Sequence, residues 1–178
     1  MSAWLANWLG RKFMGILVAP AGGRAISIEL GSGYDALAEE AAQRSRIVDF
    51  MRSQVGKPYR LGVEIPPGRE HEAQEWDCSE ESEAAYRLVG IALPDGAENQ
   101  YNACQAVKHP RMGDLGFLWS DKRGMIGHVM VASDVNTVIH AVAGRGVVED
   151  LVSMWDTHER WRGWRRHPIF ARPPEDRA

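Results

Sequence analysis

Cysteine is nearly missing from this chain. Two in 178 residues allow at most one bridge, so no disulfide framework holds the fold and the redox compartment stays open. Long apolar runs are missing too: the longest, Phe13-Met14-Gly15-Ile16-Leu17-Val18-Ala19, falls far short of the ~20 residues that a bilayer-spanning helix needs. A basic excess is also absent. The formal net charge of -3 excludes the general electrostatic footprint of a nucleic-acid binder. The one basic run, Arg160-Trp161-Arg162-Gly163-Trp164-Arg165-Arg166, reads as a final strand with solvated arginines and inward tryptophans. No internal repeat or low-complexity tract is visible.

What is present suffices for one domain with a full core. It is assigned to residues 36–170, preceded by an extension over 1–35 and followed by a tail over 171–178. The extension reads in two ways. Arg11-Lys12, the apolar run and Ala19-Pro20-Ala21 have the order of a secretory signal with its cleavage site. Trp4, Leu5, Trp8 and Leu9, which precede the charges, fit instead an ordered, interfacial or docking segment open to peripheral membrane contact.

From Asp35 to Val55 the pattern is helical, with Leu37, Ala41, Val48, Met51 and Val55 near one face, and Gly56 and Pro58 end it. A second helix begins at Asp77 and runs to Val89, closed by Gly90; a third is expected over Glu98 to Val107. The remainder reads as short strands: Leu115 to Trp119, His128 to Ala132, Val138 to Val142, Val147 to Asp150 and Trp161 to Arg166. Helices followed by an antiparallel meander make an α+β domain.

One of the two cysteines stands in Trp76-Asp77-Cys78-Ser79-Glu80-Glu81-Ser82-Glu83, among acids rather than the apolar neighbours of a structural cysteine. Asp77 is placed as the N-cap, with Glu80 completing a capping box. A thiol in the first turn of a helix meets unpaired N–H groups and the positive end of the macrodipole, so its pKa is expected to fall. The neighbouring carboxylates oppose that shift.

A nucleophilic thiol needs a base, and the base needs a third group to orient it. Of six histidines, His128 and His140 lie on strands either side of Ser133-Asp134-Val135-Asn136-Thr137. A hairpin centred on Asp134 sets them directly opposite on one face, with Cβ atoms about 5 Å apart. Cys78, His128 and His140 are zinc-ligand types as well, but they lack the close-paired spacing of such sites. Cys104 reads as core, His71, His109, His158 and His167 as solvated, and the seven tryptophans as filling the core and the N-terminal segment.

Several motifs in order resemble the NlpC/P60 cysteine peptidases of bacterial cell-wall peptide stems. They are Gly56-Lys57-Pro58-Tyr59, Asp77-Cys78-Ser79, Gly90-Ile91-Ala92-Leu93-Pro94, Gln100, Gly113-Asp114-Leu115-Gly116-Phe117, Gly127-His128-Val129 and Ile139-His140-Ala141. The resemblance implies a papain-like fold with Cys78 as nucleophile, His128 as base and His140 as third polar residue. Tyr59 would line the site, and Asp77 and Ser79 would help recognise the stem peptide. The implied reaction is hydrolysis of a peptidoglycan amide bond, γ-D-glutamyl to diaminopimelate or lysine, at the cell wall or periplasm of a bacterium or from a phage, with no cofactor or metal. The order Cys, His, His separates the chain from circularly permuted relatives. One departure stands out: Glu81 and Ser82 occupy places where the family has an apolar pair. Other readings are an assembly protein of a phage tail or secretion apparatus with weak or no activity, docking through residues 1–35, and a thiol amidase or acyltransferase on another substrate.

Overall fold

The computed structural model describes the strands 14–17 and 26–29 and residues 32–171. The first two strands, β1 (Met14–Leu17) and β2 (Ile26–Glu29), pair antiparallel in a small sheet of their own. They fall inside the stretch read as a signal or docking segment. The Arg11-Lys12 pair, Ala19-Pro20-Ala21, Trp4 and Trp8 lie outside the described residues, as does the tail from 172 on.

Helix α1 (Ser32–Gln54) is longer at its start than the sequence pattern suggested. Its buried face also differs: Leu37 and Val55 are exposed, whereas Glu40, Arg44, Ile47, Val48, Met51 and Gln54 are buried. The reason is an ionic cluster. Arg44 Nε donates to Glu40 at 2.8 Å and its Nη1 to Asp114 Oδ1 at 3.0 Å and to the Met112 carbonyl at 2.7 Å. Arg166 Nη2 donates to Asp114 Oδ2 at 2.7 Å. Asp114 has no exposed surface, and charge buried this deeply is tolerable only when fully paired.

Helices α2 (Cys78–Arg87) and α3 (Ala97–Ala103) follow. The third helix stops four residues short of its expected end. Cys104 turns extended, and β3 (Gln105–Val107) joins the sheet, with Gln105 opposite Arg166. Local pattern favoured a helix there, but an edge of β8 offered unpaired backbone groups that a strand satisfies.

The main sheet is antiparallel throughout, comprising β3, β4 (Leu115–Ser120), β5 (Met125–Ala132), β6 (Thr137–Val142), β7 (Gly146–Leu151) and β8 (Trp161–Arg166) in the order β3-β8-β4-β5-β6-β7. Alternation along the strands divides it into two faces. Leu115, Phe117, Val129, Val131, Ile139 and Ala141 form the main core with Trp76, Ala84 and Tyr86. Leu118, Met130, Ala132, Val138 and Trp164 form a smaller cluster. This is the α+β architecture that the order of elements implied.

One backbone contact matters for the site. Gly146 has φ +78°, and a Cβ there would collide with the Lys57 carbonyl oxygen. The close approach lets Gly56 N–H donate to Val147 O and Val147 N–H to Lys57 O, both at 2.9 Å. The segment leading to Tyr59 is thereby sewn to the start of β7.

Asp114→Ala removes the buried carboxylate that Arg44 and Arg166 share, leaving Arg166 without its partner and Arg44 with Glu40 alone. Urea unfolding is expected to show a loss of about 3–5 kcal/mol; a loss below 1 kcal/mol would mean that the cluster is not what holds α1 to the sheet.

Candidate active site

Asp77 organises the start of α2. Its Oδ1 accepts from the Ser79 N–H at 3.0 Å, the Glu80 N–H at 2.9 Å and the Ser79 hydroxyl at 3.0 Å. Its Oδ2 accepts from the Gly62 N–H at 2.9 Å. The expected N-cap is therefore present, and the same carboxylate ties down the loop before it. That loop is also bridged by backbone: Trp76 N–H donates to Pro58 O at 3.0 Å and Arg60 N–H to Trp76 O at 2.9 Å. Tyr59 is thus held beside the start of α2. Its phenol pKa is raised by burial and then by Cys78 and Asp77.

The three residues after Ser79 solve their burial differently. Glu80 accepts from Arg87 Nη2 at 3.1 Å and from the Ile65 N–H at 3.2 Å, although burial still pushes its pKa up to about 7. The Ser82 hydroxyl lies 2.8 Å from Gln100 Oε1 and 2.9 Å from the Ser79 carbonyl, and Gln100 Nε2 donates to Ser79 O at 3.0 Å. Glu81 has no exposed surface and no hydrogen-bond partner at either carboxyl oxygen. Burial holds its pKa well above the usual carboxylate range, offset a little by the Ala141 backbone amide. Of the two residues that depart from the family pattern, Glu81 is a neutral acid sealed between α2 and β6.

Cys78 is 7 % exposed. Burial pushes its thiol up to about 12, Asp77 pushes further in the same direction, and the Val129 and Cys78 backbone N–H groups pull it back. The lowered pKa expected at a helix start is not realised, because desolvation outweighs the pull of the backbone N–H groups. The sulfur faces the Val129 N–H, next in the chain to His128. Among the hydrogen bonds of the described residues none joins the Cys78 sulfur to His128; such contacts commonly tighten only when substrate is bound. His128 itself is pushed down to about 3 by burial and by His140. The resting pair is a neutral thiol and a neutral imidazole.

The two histidines do meet, though not as drawn from the sequence. β5 and β6 pair Val131 with Ile139 and Ala132 with Val138, so the hairpin centres on Val135 rather than Asp134. His140 falls opposite Met130, and His128 is its diagonal neighbour on the same face, still within reach of long side chains. The ladder ends at Val131, and the rings fill the space beyond: His128 Nε2 and His140 Nδ1 are 2.8 Å apart. Gly127 helps bring β4 and β5 together here, since a Cβ would collide with the Ser120 side chain.

A further diagonal step leads to a residue the sequence reading missed. His140 Nε2 lies 3.2 Å from Asp150 Oδ2 on β7. Arg145 donates to both oxygens of Asp150, at 2.8 and 2.7 Å, and Trp155 Nε1 donates to Oδ2 at 3.3 Å. Arg145, against the cost of burial, holds the Asp150 carboxyl down at about 2. Burial lowers the pKa of His140, with Asp150 pulling it back up. The available signal was an acid closing the strand after the one that carries His140. A cleft of about 240 Å³ opens against His128, lined also by Trp119, Ser120, Trp155, His158 and Arg160.

Other assignments sort as follows. Among the described residues no group of three or more His, Cys, Asp or Glu is arranged to hold a metal ion, and the facing nitrogens of His128 and His140 are engaged with each other. Cys104 is buried as expected. His167 is half-buried against Tyr86 rather than solvated.

Two outcomes follow from these electrostatics. Glu81 binds a proton in the folded state at pH values where the unfolded chain has released it, so its contribution to stability falls as pH rises above the ordinary carboxylate range. Glu81→Met removes both that slope and an unsatisfied buried group; thermal unfolding at pH 5 and pH 8 should show a gain of about 1–3 kcal/mol, larger at pH 8, and a loss would reveal a partner for Glu81. For Cys78, the rate of iodoacetamide alkylation in the free protein should climb steadily into the alkaline range. A plateau already reached at pH 6 would mean a resting thiolate–imidazolium pair instead.

The NlpC/P60 family pattern matches residues 56–166. No curated protein matches the chain. Solved structures do. An NLP/P60 family protein of Staphylococcus aureus described as similar to a lipoprotein aligns at 26% identity and TM-score 0.56, over 70% of this chain and 41% of its own. The peptidoglycan hydrolase RipB of Mycobacterium tuberculosis aligns at 22% identity and TM-score 0.58, over 79% of this chain and 73% of its own. RipD of Mycobacterium tuberculosis, described as a non-catalytic NlpC/p60 domain protein adapted to peptidoglycan binding, aligns at 21% identity and TM-score 0.54, over 69% of this chain and 95% of its own. This chain therefore spans less than half the length of the Staphylococcus aureus protein, while its match to the family pattern runs from the turn before Tyr59 to the end of β8. The chain belongs to the NlpC/P60 family.

Proposed function

We propose that the protein is a cysteine peptidase acting on peptidoglycan stem peptides at the cell wall, with residues 36–170 as catalytic domain and 1–35 as an extension. The observation that carries this reading is the arrangement around His128. The Val129 amide, next in the chain to His128, acts on the Cys78 sulfur, and Nε2 of His128 is taken up by His140, which leaves Nδ1. With thiol and imidazole both neutral at rest, attack on the substrate carbonyl is coupled to transfer of the Cys78 proton to His128. Backbone donors at the start of α2, the Cys78 N–H among them, face the developing oxyanion. His128 then protonates the leaving amine and activates the water that releases the acyl group.

Tyr59 and Ser79 stand at the edge of this site as the substrate-binding residues of the proposal. Asp77 serves them indirectly, since both of its oxygens are engaged in the cap and the loop. The cleft beside His128 takes the leaving side of the peptide, because the general acid must touch the departing amine. The bond proposed is γ-D-glutamyl to diaminopimelate or lysine.

A second reading is peptidoglycan binding without catalysis. The observation favouring it is the burial of Cys78, which pushes its thiol up to about 12, together with a sealed Glu81 carboxyl that has no part in the mechanism. Incubating wild type and Cys78→Ala with purified wall fragments and analysing the products by mass spectrometry separates the two. Cleavage is expected in wild type and should drop by about 10³-fold or more in Cys78→Ala. Binding of the fragments with no Cys78-dependent product would establish the second reading.

A further inference from the structure

Two neutral imidazoles joined by one hydrogen bond can be protonated in two directions. In one, His128 Nε2–H donates to His140 Nδ1, and His128 Nδ1 keeps a lone pair. In the other, His140 Nδ1–H donates to His128 Nε2, and His128 Nδ1 carries the proton instead. Only the first leaves His128 able to accept a proton from a thiol. Nothing in the His128–His140 pair chooses between them.

The choice is made one strand further. Asp150 Oδ2 receives Arg145 Nη1 at 2.8 Å, Trp155 Nε1 at 3.3 Å and His140 Nε2 at 3.2 Å, and Oδ1 receives Arg145 Nη2 at 2.7 Å. An ionised carboxylate only accepts. His140 Nε2 must therefore carry a proton, which empties Nδ1, which in turn obliges His128 Nε2 to donate. The alternative direction would turn a His140 lone pair against a carboxylate. His140 is 1 % exposed, so water cannot readily relieve that repulsion, and the Trp155 ring packs edge-on against it with centroids 5.0 Å apart.

We propose that Asp150 is a positioning residue, which fixes the proton order of His140 and through it keeps Nδ1 of His128, the ring nitrogen not taken up by His140, unprotonated. The inference rests on the proposed Cys78–His128 chemistry. It adds to that chemistry an element contributed by β7 and held by Arg145 and Trp155. The same carboxylate, reached through His140, favours the imidazolium that forms when His128 takes up the thiol proton.

The test compares the full chain as wild type, Asp150→Ala, Asp150→Asn and Arg145→Gln. Ring ¹⁵N NMR reads the tautomers, turnover of stem-peptide fragments reads kcat and KM, and thermal unfolding confirms that each variant is folded. Wild type should show both rings protonated at Nε2. Asp150→Ala should admit the opposite order and lose about 100-fold in kcat with KM within about threefold. Asp150→Asn, whose side-chain carbonyl still accepts from His140, should fold and recover part of the loss. Arg145→Gln should keep the wild-type tautomers. A folded Asp150→Ala with wild-type tautomers or wild-type kcat would overturn the proposal, and so would an Asp150→Asn no better than Asp150→Ala. Should wild type yield no Cys78-dependent product, the hydrolase reading falls, while the ring nitrogens still decide whether Asp150 sets the order.

Discussion

The start of α2 has to be buried, and Asp77 makes that burial tolerable. A helix terminus leaves backbone N–H groups without partners, and placing one against a sheet removes the water that would satisfy them. Asp77 Oδ1 takes up two of those donors and the Ser79 hydroxyl, while Oδ2 pins Gly62. One side chain thereby fixes the helix start, the loop beside it and, through the Pro58–Trp76 backbone pairing, the position of Tyr59. Cys78 is delivered against β5 as a consequence. The acids that follow are read in the same light: Glu80 is answered by Arg87 and the Ile65 amide, Ser82 by Gln100, and Glu81 by no hydrogen bond.

That burial sets the electrostatics of the site. A thiol at an exposed helix start gains from the macrodipole, but Cys78 loses more from desolvation and from Asp77 than the backbone N–H groups around it return. His128 is displaced in the complementary direction. Burial thus favours the neutral form of both groups.

The residues of the candidate site were more legible in the sequence than the contacts among them. Cys78, His128 and His140 were legible because a cysteine among acids and two histidines on neighbouring strands are unusual enough to stand out. The helix and strand order was legible from periodicity, with the end of α3 the main exception. Register was not. A hairpin centre one residue away from the expected one changed the histidine contact from opposite to diagonal, and the side-chain period of two kept both rings on one face regardless. Asp150 escaped because its importance lies in what faces it, and an acid at a strand end looks the same in sequence whether it meets water or a histidine.

By itself the sequence determined the type of chain, the order of its elements, the capped helix start and the residue types available for chemistry, since all of these follow from local pattern. Tertiary structure decided which charges are paired and which protonation states result. The buried charges on α1 that join Arg44 to Asp114, the sealed neutral Glu81 and the proton order imposed by Asp150 all depend on contacts between residues far apart in the chain. Desolvation is the common reason. Its cost is set by the whole fold around a group, so a sequence lists the ionisable residues but only their packing fixes their charge.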